Sequence, residues 1–473
     1  MDQPRISVEV SERGEEIRLG GKLGGMTLVM QVLTLAFWPL LEQILAFFVG
    51  TTDLLIAGRM AAGEERVAIL DAMALGGYVG WFIYIFQGAV ATGVMALVSR
   101  AVGARNFKLA DMALGQGLWL GALAGVAAYL VLQISTLPLI RWMGLSPAAA
   151  IHAEAYILML AWSGPVAGAM LAVNAALRGS GDTKTPFLAM VVVNLVNIGT
   201  SVLLVFGPKP FGGMGVEGIA LGTVIGWSAG LLTVVVILAL KKTEGLRWTR
   251  EGLIFDGETM LRIWRIGIPQ AIEIAGMWMI QSYGLRVISN LNNEGALGAH
   301  FIAVRLESMS YLPGFAIAAA AAALTGQYLG AGSKEMAVQA VRFSWKLSVF
   351  MMAFMGLCFV IGRSWLIGLL APGSELHAEL ATPLLVVCAF VQPFFATCII
   401  LKTTMRGAGA TKLVMRWAFS SMLFYRIGVL WVLSHLGWIS LTGVWVLFGL
   451  DLVTQAAVFT RLHFKGKWLD AKV

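Results

Sequence analysis

Residues 178–184 read RGSGDTK and residues 406–412 read RGAGATK, so one segment recurs 228 positions later in the chain. Pro39 and Pro269 recur in the same order, at an offset of 230. The two RG segments each lie between apolar stretches long enough to cross a bilayer, which takes roughly 20 residues. Matched features in one order with nearly constant offsets predict two copies of one structural unit.

The composition places the chain in a membrane. Of its 473 residues, 58% are hydrophobic and 13% are charged, whereas a soluble domain carries roughly 25% charged residues. A globular core cannot hide this much apolar surface, so the surplus has to face lipid. The formal charge of +8 comes from basic residues in short joints between apolar runs, which is typical of topology signals. It does not indicate a nucleic-acid partner.

The apolar stretches predict an all-α polytopic membrane protein with twelve transmembrane helices in two pseudo-symmetric six-helix bundles. The predicted domains are a cytoplasmic tail, an N-terminal bundle, a cytoplasmic connector, a C-terminal bundle and a second cytoplasmic tail, at 1–25, 26–240, 241–262, 263–462 and 463–473. The predicted spans are 28–57, 72–98, 110–134, 154–177, 186–206, 216–240, 263–290, 298–326, 343–361, 380–404, 413–434 and 441–462.

Lysine and arginine are concentrated in alternate joints, and this asymmetry predicts that both termini are cytoplasmic in the cell (inner) membrane. Six helices per copy mean that both copies enter the bilayer from the same side. We therefore expect an axis along the membrane normal, with a substrate cavity between the bundles and alternating access by rocking. This organisation predicts a transporter, which we expect to be a monomer in the lipid bilayer with small organic substrates.

Several other classes of function lack their signatures. The chain has no GxxxxGK[ST] segment, which argues against nucleotide-driven transport. It has no recognisable hydrolase motif, so no catalytic residues are assigned and the chain is not predicted to be an enzyme. Cys358, Cys388 and Cys398 lie in apolar segments without metal-ligand spacing. No metal site and no cofactor are therefore expected.

Asp53 is the first acid that the sequence singles out. A carboxylate at membrane depth costs about 2.5 kcal/mol or more, so it is retained with a partner or for a purpose. Asp53 lies near the end of the first apolar stretch, and either it reaches the water interface or it binds a proton or Na⁺ in an outward-facing cavity. Glu42 lies eleven residues earlier, within about 20° of the same helix face.

Glu42 follows Pro39, and Glu273 follows Pro269 in the second copy. The pair either lines a cavity that attracts cationic substrates, or each acid pairs with a nearby backbone group or arginine. Pro39 and Pro269 each remove a backbone hydrogen bond, and both are predicted hinges or kinks.

Arg305 and Glu307 lie two residues apart on the eighth predicted helix and point to different faces. They are expected either to make contacts across helices or to contact substrate in the cavity.

The RGSGDTKTP and RGAGATK segments, with WPL…VGTTDLLIAGR near the first span, resemble the multidrug and toxic compound extrusion (MATE) transporters. Residues 299–332, AHFIAVRLESMSYLPGFAIAAAAAALTGQYLGAG, resemble the DinF-like branch. The resemblance covers residues 25–462. It implies twelve helices in two bundles and export driven by inward Na⁺ or H⁺.

The resemblance also implies a coupling site. The family's aspartate on the first helix matches Asp53, its asparagine on the fifth matches Asn197, and its threonine on the sixth matches Thr223. The family's second aspartate is replaced by Ser201, so one negative ligand is missing and H⁺ is preferred over Na⁺ as the coupling ion. The glutamate that NorM-like members carry on the seventh helix is replaced by Met277, which we place in the predicted substrate cavity.

The sequence therefore predicts a secondary active antiporter that exports small lipophilic or cationic organic compounds. The alternative is a lipid-linked oligosaccharide flippase of the same broad superfamily. Such flippases often have extra helices and a strongly charged cavity, and the twelve spans and paired RG segments favour the exporter.

Overall fold

The computed structural model describes residues 19, 23–240, 246–291, 295–370 and 375–471, and within these ranges the regular structure is helical. The helices are α1 (Leu28–Ala57), α2 (Gly63–Gly103), α3 (Phe107–Met143), α4 (Pro147–Ala161), α5 (Ser163–Ser180), α6 (Lys184–Phe206), α7 (Gly215–Ala239), α8 (Arg250–Leu253), α9 (Gly257–Ser289), α10 (Ala296–Gly330), α11 (Lys334–Leu370), α12 (Glu375–Gly407), α13 (Thr411–Met422), α14 (Leu430–His435) and α15 (Leu441–Lys465).

Each of the twelve predicted spans coincides with a long helical segment in the described part of the chain. By length and composition, nine helices qualify as membrane spans, and a tenth is added if the bent pair α4–α5 is one span. The remaining two segments are the long helices α2 and α9. α9 carries five charged residues, whereas residues 72–98 of α2 carry none. The predicted fold class, an all-α polytopic membrane protein, is confirmed.

Two spans are less regular than predicted. The fourth is broken at Trp162, where α4 and α5 meet at 46°. The eleventh changes to a π-helix over Leu423–Val429 before it resumes as α14. A π-helical turn bonds each residue to the fifth one along and often marks a functional position.

The chain divides into two compact units. Among the described residues, the N-terminal unit takes those up to Gly25 and Phe37–Ala271, and the C-terminal unit takes Met26–Ala36 and Ile272 onward. The start of α1 thus belongs to the C-terminal unit, and the start of α9 belongs to the N-terminal unit. The predicted bundle boundaries at 26–240 and 263–462 stay a prediction. Most of the predicted tail 1–25, residues 241–245 of the predicted connector and residues 472–473 of the second tail lie outside the described residues.

Close contacts explain why these two helix starts change unit. A Cβ atom on Gly267 of α9 would collide with the carbonyl oxygen of Ala89 on α2, and one on Gly93 would collide with that of Ile263. In the C-terminal unit, the Tyr328 hydroxyl donates a hydrogen bond to the Gln31 side chain of α1 over 2.7 Å.

The segment that precedes α9 is docked on the N-terminal unit. The buried side-chain amide of Gln116 on α3 donates to the carbonyls of Gly252 and Ile254, each over 2.8 Å, and accepts from the Asp256 amide. Asp256 caps α9 by accepting from the Thr259 amide. This hydrogen bonding lowers the pKa of the Asp256 carboxyl, because it favours the charged form.

Glycine contacts bring the helices of the N-terminal unit together. Gly121 and Gly125 of α3 face Gly168 and Gly164 of α5, and a Cβ atom at any of the four would collide with backbone of the facing helix. Small residues spaced four apart allow helix backbones to approach closely in a bilayer, where the hydrophobic effect does not drive helices together.

Candidate ion site

Asp53, Asn197 and Thr223 meet inside the N-terminal unit, from helices α1, α6 and α7. The Asn197 side-chain amide donates to Asp53 Oδ1 over 3.3 Å and to Thr223 Oγ1 over 3.0 Å. The Thr223 hydroxyl lies 3.0 Å from Asp53 Oδ2 and 3.2 Å from the Ile219 carbonyl oxygen. The structure therefore brings Asp53 together with two residues that lie 144 and 170 positions later in the sequence.

The site is closed to water. Asp53 is 4% exposed, and Asn197 and Ser201 are fully buried. A carboxylate in this position is costly to keep charged unless its surroundings compensate the charge. Within the described residues, Asp53 accepts its hydrogen bonds from the neutral side chains of Asn197 and Thr223. The arrangement suits a carboxyl group that alternates between a free and a cation-bound or protonated state.

A row of glycines on α7 sets the position of the α6 side chains. Gly222 packs against Ser201, and Gly226 packs against Asn197, where an added Cβ atom would lie 3.0 Å from the Asn197 Cβ atom. With Gly218 and Gly230, the row has a spacing of four residues, which keeps it on one face of the helix. The glycines thus let α6 and α7 pack closely enough for Asn197 to hydrogen bond with Thr223.

Two oxygens of the site can accept a further hydrogen bond or a cation. Among the described residues, Asn197 Oδ1 has no hydrogen-bond partner, and the Ser201 hydroxyl makes only a long contact, 3.5 Å, with the Ile219 carbonyl oxygen. Hard cations such as Na⁺ bind to carboxylate, amide and hydroxyl oxygens of this kind. The site offers these oxygens with one formal negative charge, because Ser201 is not an acid.

Glu42 and Glu273 both form ion pairs with the arginine of the repeated RG segment in their own unit. Arg178 Nη1 lies 2.8 and 2.9 Å from the two Glu42 oxygens. Arg406 Nη2 lies 2.6 Å from Glu273 Oε1, and Lys402 adds a second cation at 3.6 Å. Both acids therefore have an arginine partner, and a role for Glu42 and Glu273 in lining a substrate cavity stays a prediction.

Among the other predicted cavity residues, Glu307 interacts electrostatically with Arg426. Met277 and Arg305 are exposed. Glu307 is half-buried, and its side chain hydrogen bonds with the Cys388 thiol. A role of Met277, Arg305 and Glu307 in substrate binding therefore stays a prediction, as does a hinge role for Pro39 and Pro269, which lie within α1 and α9.

The sequence interpretation missed a buried charge cluster in the C-terminal unit. Asp451 on α15 is completely buried, and its Oδ2 accepts a hydrogen bond from Arg426 Nε over 2.6 Å. Its Oδ1 accepts from the Ser421 hydroxyl and the Gln455 amide, over 2.6 and 2.9 Å. The signal was present, because Asp451 is the one acidic residue in the apolar stretch 441–462.

The charge cluster extends toward Glu273. The ammonium group of Lys402 donates to the Gln455 side-chain oxygen over 3.2 Å and faces Glu273. No group of three or more histidine, cysteine or acidic residues suited to a metal ion occurs in the part of the chain that the structure describes.

The sequence and the fold match known transporters. The family model named MatE matches residues 39–203 and again 269–432, so each match begins at the proline of the first helix of its half. A probable multidrug resistance protein NorM from Thermotoga maritima is 26% identical over 93% of this chain and 92% of its own length. A probable multidrug resistance protein YoeA from Bacillus subtilis is 27% identical over 83% of this chain and 85% of its own length.

A solved structure has the same fold. A MOP superfamily transporter from Pyrococcus furiosus aligns with a TM-score of 0.85 at 18% identity, over 94% of this chain and 98% of that one. The assignment to the DinF-like branch stays a prediction. Because the family model covers most of both halves, the chain belongs to the MatE family of multidrug and toxic compound extrusion transporters.

Proposed function

We propose that this multi-pass membrane protein exports small organic compounds across the cell membrane in exchange for a cation, with Asp53 as the carboxyl group that binds and releases it. Family membership supports multidrug efflux as the general activity. The observation that carries the assignment of the site is the burial of Asp53 among neutral hydrogen-bond donors. A buried acid with a fixed cationic partner would have no reason to exchange ions.

We favour H⁺ as the coupling ion. When Asp53 is ionised, the Asn197 amide and the Thr223 hydroxyl donate to its two oxygens, as in the structure. When Asp53 is protonated, it needs an acceptor, and a half-turn of the Asn197 amide exchanges the donor Nδ2 for the free acceptor Oδ1. Asn197 can therefore satisfy both protonation states, and the state of Asp53 is transmitted to α6.

Na⁺ is the alternative coupling ion. It would be held by Asp53, the Asn197 oxygen and the hydroxyls of Ser201 and Thr223. Four oxygens with one formal charge make a weak site for a hard cation, since affinity depends on the number and charge of the ligands. This deficit is the reason for preferring H⁺.

The sequence supports the proposed orientation, and the named relatives support the proposed substrate class. Concentration of lysine and arginine in alternate joints supports cytoplasmic termini. Lipophilic or cationic compounds are the proposed substrates, by analogy with the relatives that are named as multidrug resistance proteins. We propose a monomer that contains the complete transport pathway.

The proposal is tested by transport in sealed vesicles that contain purified protein and a panel of lipophilic cations, under an imposed pH gradient or an imposed Na⁺ gradient. Asp53→Asn is expected to abolish gradient-driven transport while the protein remains folded and inserted. The matched control is Asp71→Asn, the same substitution at an exposed acid on α2, which should transport at the parent rate. Gradient-driven transport by Asp53→Asn at the parent rate would refute the assignment.

A further inference from the structure

Corresponding helices of the two halves meet at a polar cluster in each unit. In the N-terminal unit, the first, fifth and sixth membrane spans are α1, α6 and α7, and they meet at the Asp53 site. In the C-terminal unit, the first helix is α9, the fifth runs from α13 to α14, and the sixth is α15. They meet at Gln281, Arg426 and Asp451, where Arg426 Nη1 lies 3.3 Å from Gln281 Oε1 and its Nε lies 2.6 Å from Asp451 Oδ2.

The register of the repeat aligns Arg426 with Asn197. The two family matches end at residues 203 and 432, and Asn197 and Arg426 each lie six residues before the end of their match. Arg426 is also in the π-helical segment Leu423–Val429. The wider turn of a π-helix changes the direction of the side chains that follow. The backbone is therefore π-helical around Arg426 and α-helical around Asn197.

Arg426 covers the oxygens that a free cation would use. Its guanidinium contacts Asp451 Oδ2 and Gln281 Oε1, and it lies over the ring of Phe448 at 4.5 Å from the centroid. The other Asp451 oxygen is satisfied by Ser421 and Gln455. The acid is therefore neutralised and fully hydrogen-bonded by the protein itself, unlike Asp53.

We propose that Arg426 is a tethered cation, which occupies in the C-terminal unit the place that the exchangeable cation or proton takes at Asp53 in the N-terminal unit. The comparison of the two sites rests on the proposed function. The inference of a cation site at Asp451 and Gln281 is independent of that function. The C-terminal unit carries its cation permanently, so one site per molecule exchanges its cation with solution. Removal of the arginine side chain then opens a site for a small planar cation at Asp451.

The probe for this site is guanidinium ion at millimolar concentration, added to the purified full-length protein. In Arg426→Ala, guanidinium is expected to raise the thermal unfolding midpoint, since a ligand that binds the folded state stabilises it. Arg426→Ala leaves the Asp451 charge uncompensated and is expected to lose transport, and guanidinium should restore a measurable part of it. The parent and Arg286→Ala, which removes an exposed arginine from α9, should show neither effect.

A double variant identifies the group that binds the probe. Arg426→Ala combined with Asp451→Asn lacks the carboxylate that pairs with Arg426 and keeps Glu307 nearby, so guanidinium should raise its unfolding midpoint by much less than in the single variant. An Arg426→Ala protein that does not respond to guanidinium, or a double variant that responds as strongly as the single one, would overturn the proposal.

A double variant in which both charged residues become neutral keeps the proposal testable if Arg426→Ala does not fold. Arg426→Gln with Asp451→Asn removes both charges, and it should insert and transport with the same gradient dependence as the parent. Loss of gradient-driven transport in this folded double variant would show that the C-terminal site takes part in ion exchange, contrary to the proposal. Failure of the Asp53 assignment is distinct, because it is read from Asp53→Asn in the absence of guanidinium.

Discussion

The two units bury an acid in different ways. In the N-terminal unit, Asp53 is surrounded by an amide and a hydroxyl, and a close contact of two helices through glycine brings these groups to it. In the C-terminal unit, Asp451 is held by a guanidinium group and two neutral donors. The first arrangement leaves the charge of the acid free to change, and the second fixes it. We propose on this basis that one repeated architecture keeps an exchangeable site in one of its two halves.

The largest expected difference between the two acids is in stability. Asp451→Asn removes the ion-pair partner of the largely buried Arg426 side chain and should destabilise the protein by about 3–5 kcal/mol, the range for breaking one side of a buried ion pair. Asp53→Asn should be neutral or stabilising, since it removes a buried charge that has no cationic partner among the residues that the structure describes. Thermal unfolding of both purified variants measures the difference. Equal losses of stability would remove the distinction between the two sites.

The close packing of α6 and α7 at the N-terminal site should also be sensitive to the side-chain volume at the glycine positions of α7. Gly226→Ala places a methyl group 3.0 Å from the Asn197 Cβ atom, and overpacking of this kind costs about 1–3 kcal/mol. Gradient-driven transport should fall as well, because α6 carries the Asn197 amide. The control is Gly199→Ala on α6, where an added Cβ atom has no neighbour within 4 Å. A Gly226→Ala protein that matches this control in both stability and transport would contradict the role of the glycine row.

The two glutamate–arginine pairs should differ in strength. Glu273→Gln removes the charge that faces both Arg406 and Lys402, whereas Glu42→Gln removes the charge that faces Arg178 alone. Loss of one partner of a buried pair is costly because the other charge is left uncompensated. We expect the Glu273 variant to be the less stable by about 1 kcal/mol, as measured by thermal unfolding. A larger loss for Glu42→Gln would reverse this ranking.

The smallest expected effect concerns Na⁺. The parent should bind Na⁺ poorly, and Ser201→Asp should strengthen binding by restoring a second carboxylate beside Asp53. The two close acids should also slow H⁺-driven turnover, because each disfavours ionisation of the other. Sodium titration of both proteins, followed by tryptophan fluorescence, measures the affinities. Tight Na⁺ binding by the parent that Ser201→Asp leaves unchanged would place the ion elsewhere.

Local pattern was sufficient for much of the fold. Apolar stretches longer than a bilayer is thick predict helices wherever they occur, because backbone groups in lipid must bond within their own segment. The recurring RG segments and prolines then give two halves, and the family matches begin at those same prolines. The break at Trp162 and the π-helix around Arg426 escaped prediction, since both depend on packing and leave no clear signal in composition.

By itself, the sequence determined the membrane class, the positions of the twelve helical segments, the repeat and the family, and it singled out Asp53, Asn197 and Thr223 through the family resemblance. Only the tertiary structure decided which acids carry partners: Arg178 pairs with Glu42, Arg406 with Glu273, and Arg426 with Asp451. The physical reason is the separation in sequence over which each effect acts. Hydropathy and helix formation depend on residues within a few turns, whereas the cost of a buried charge depends on groups that packing brings from distant helices.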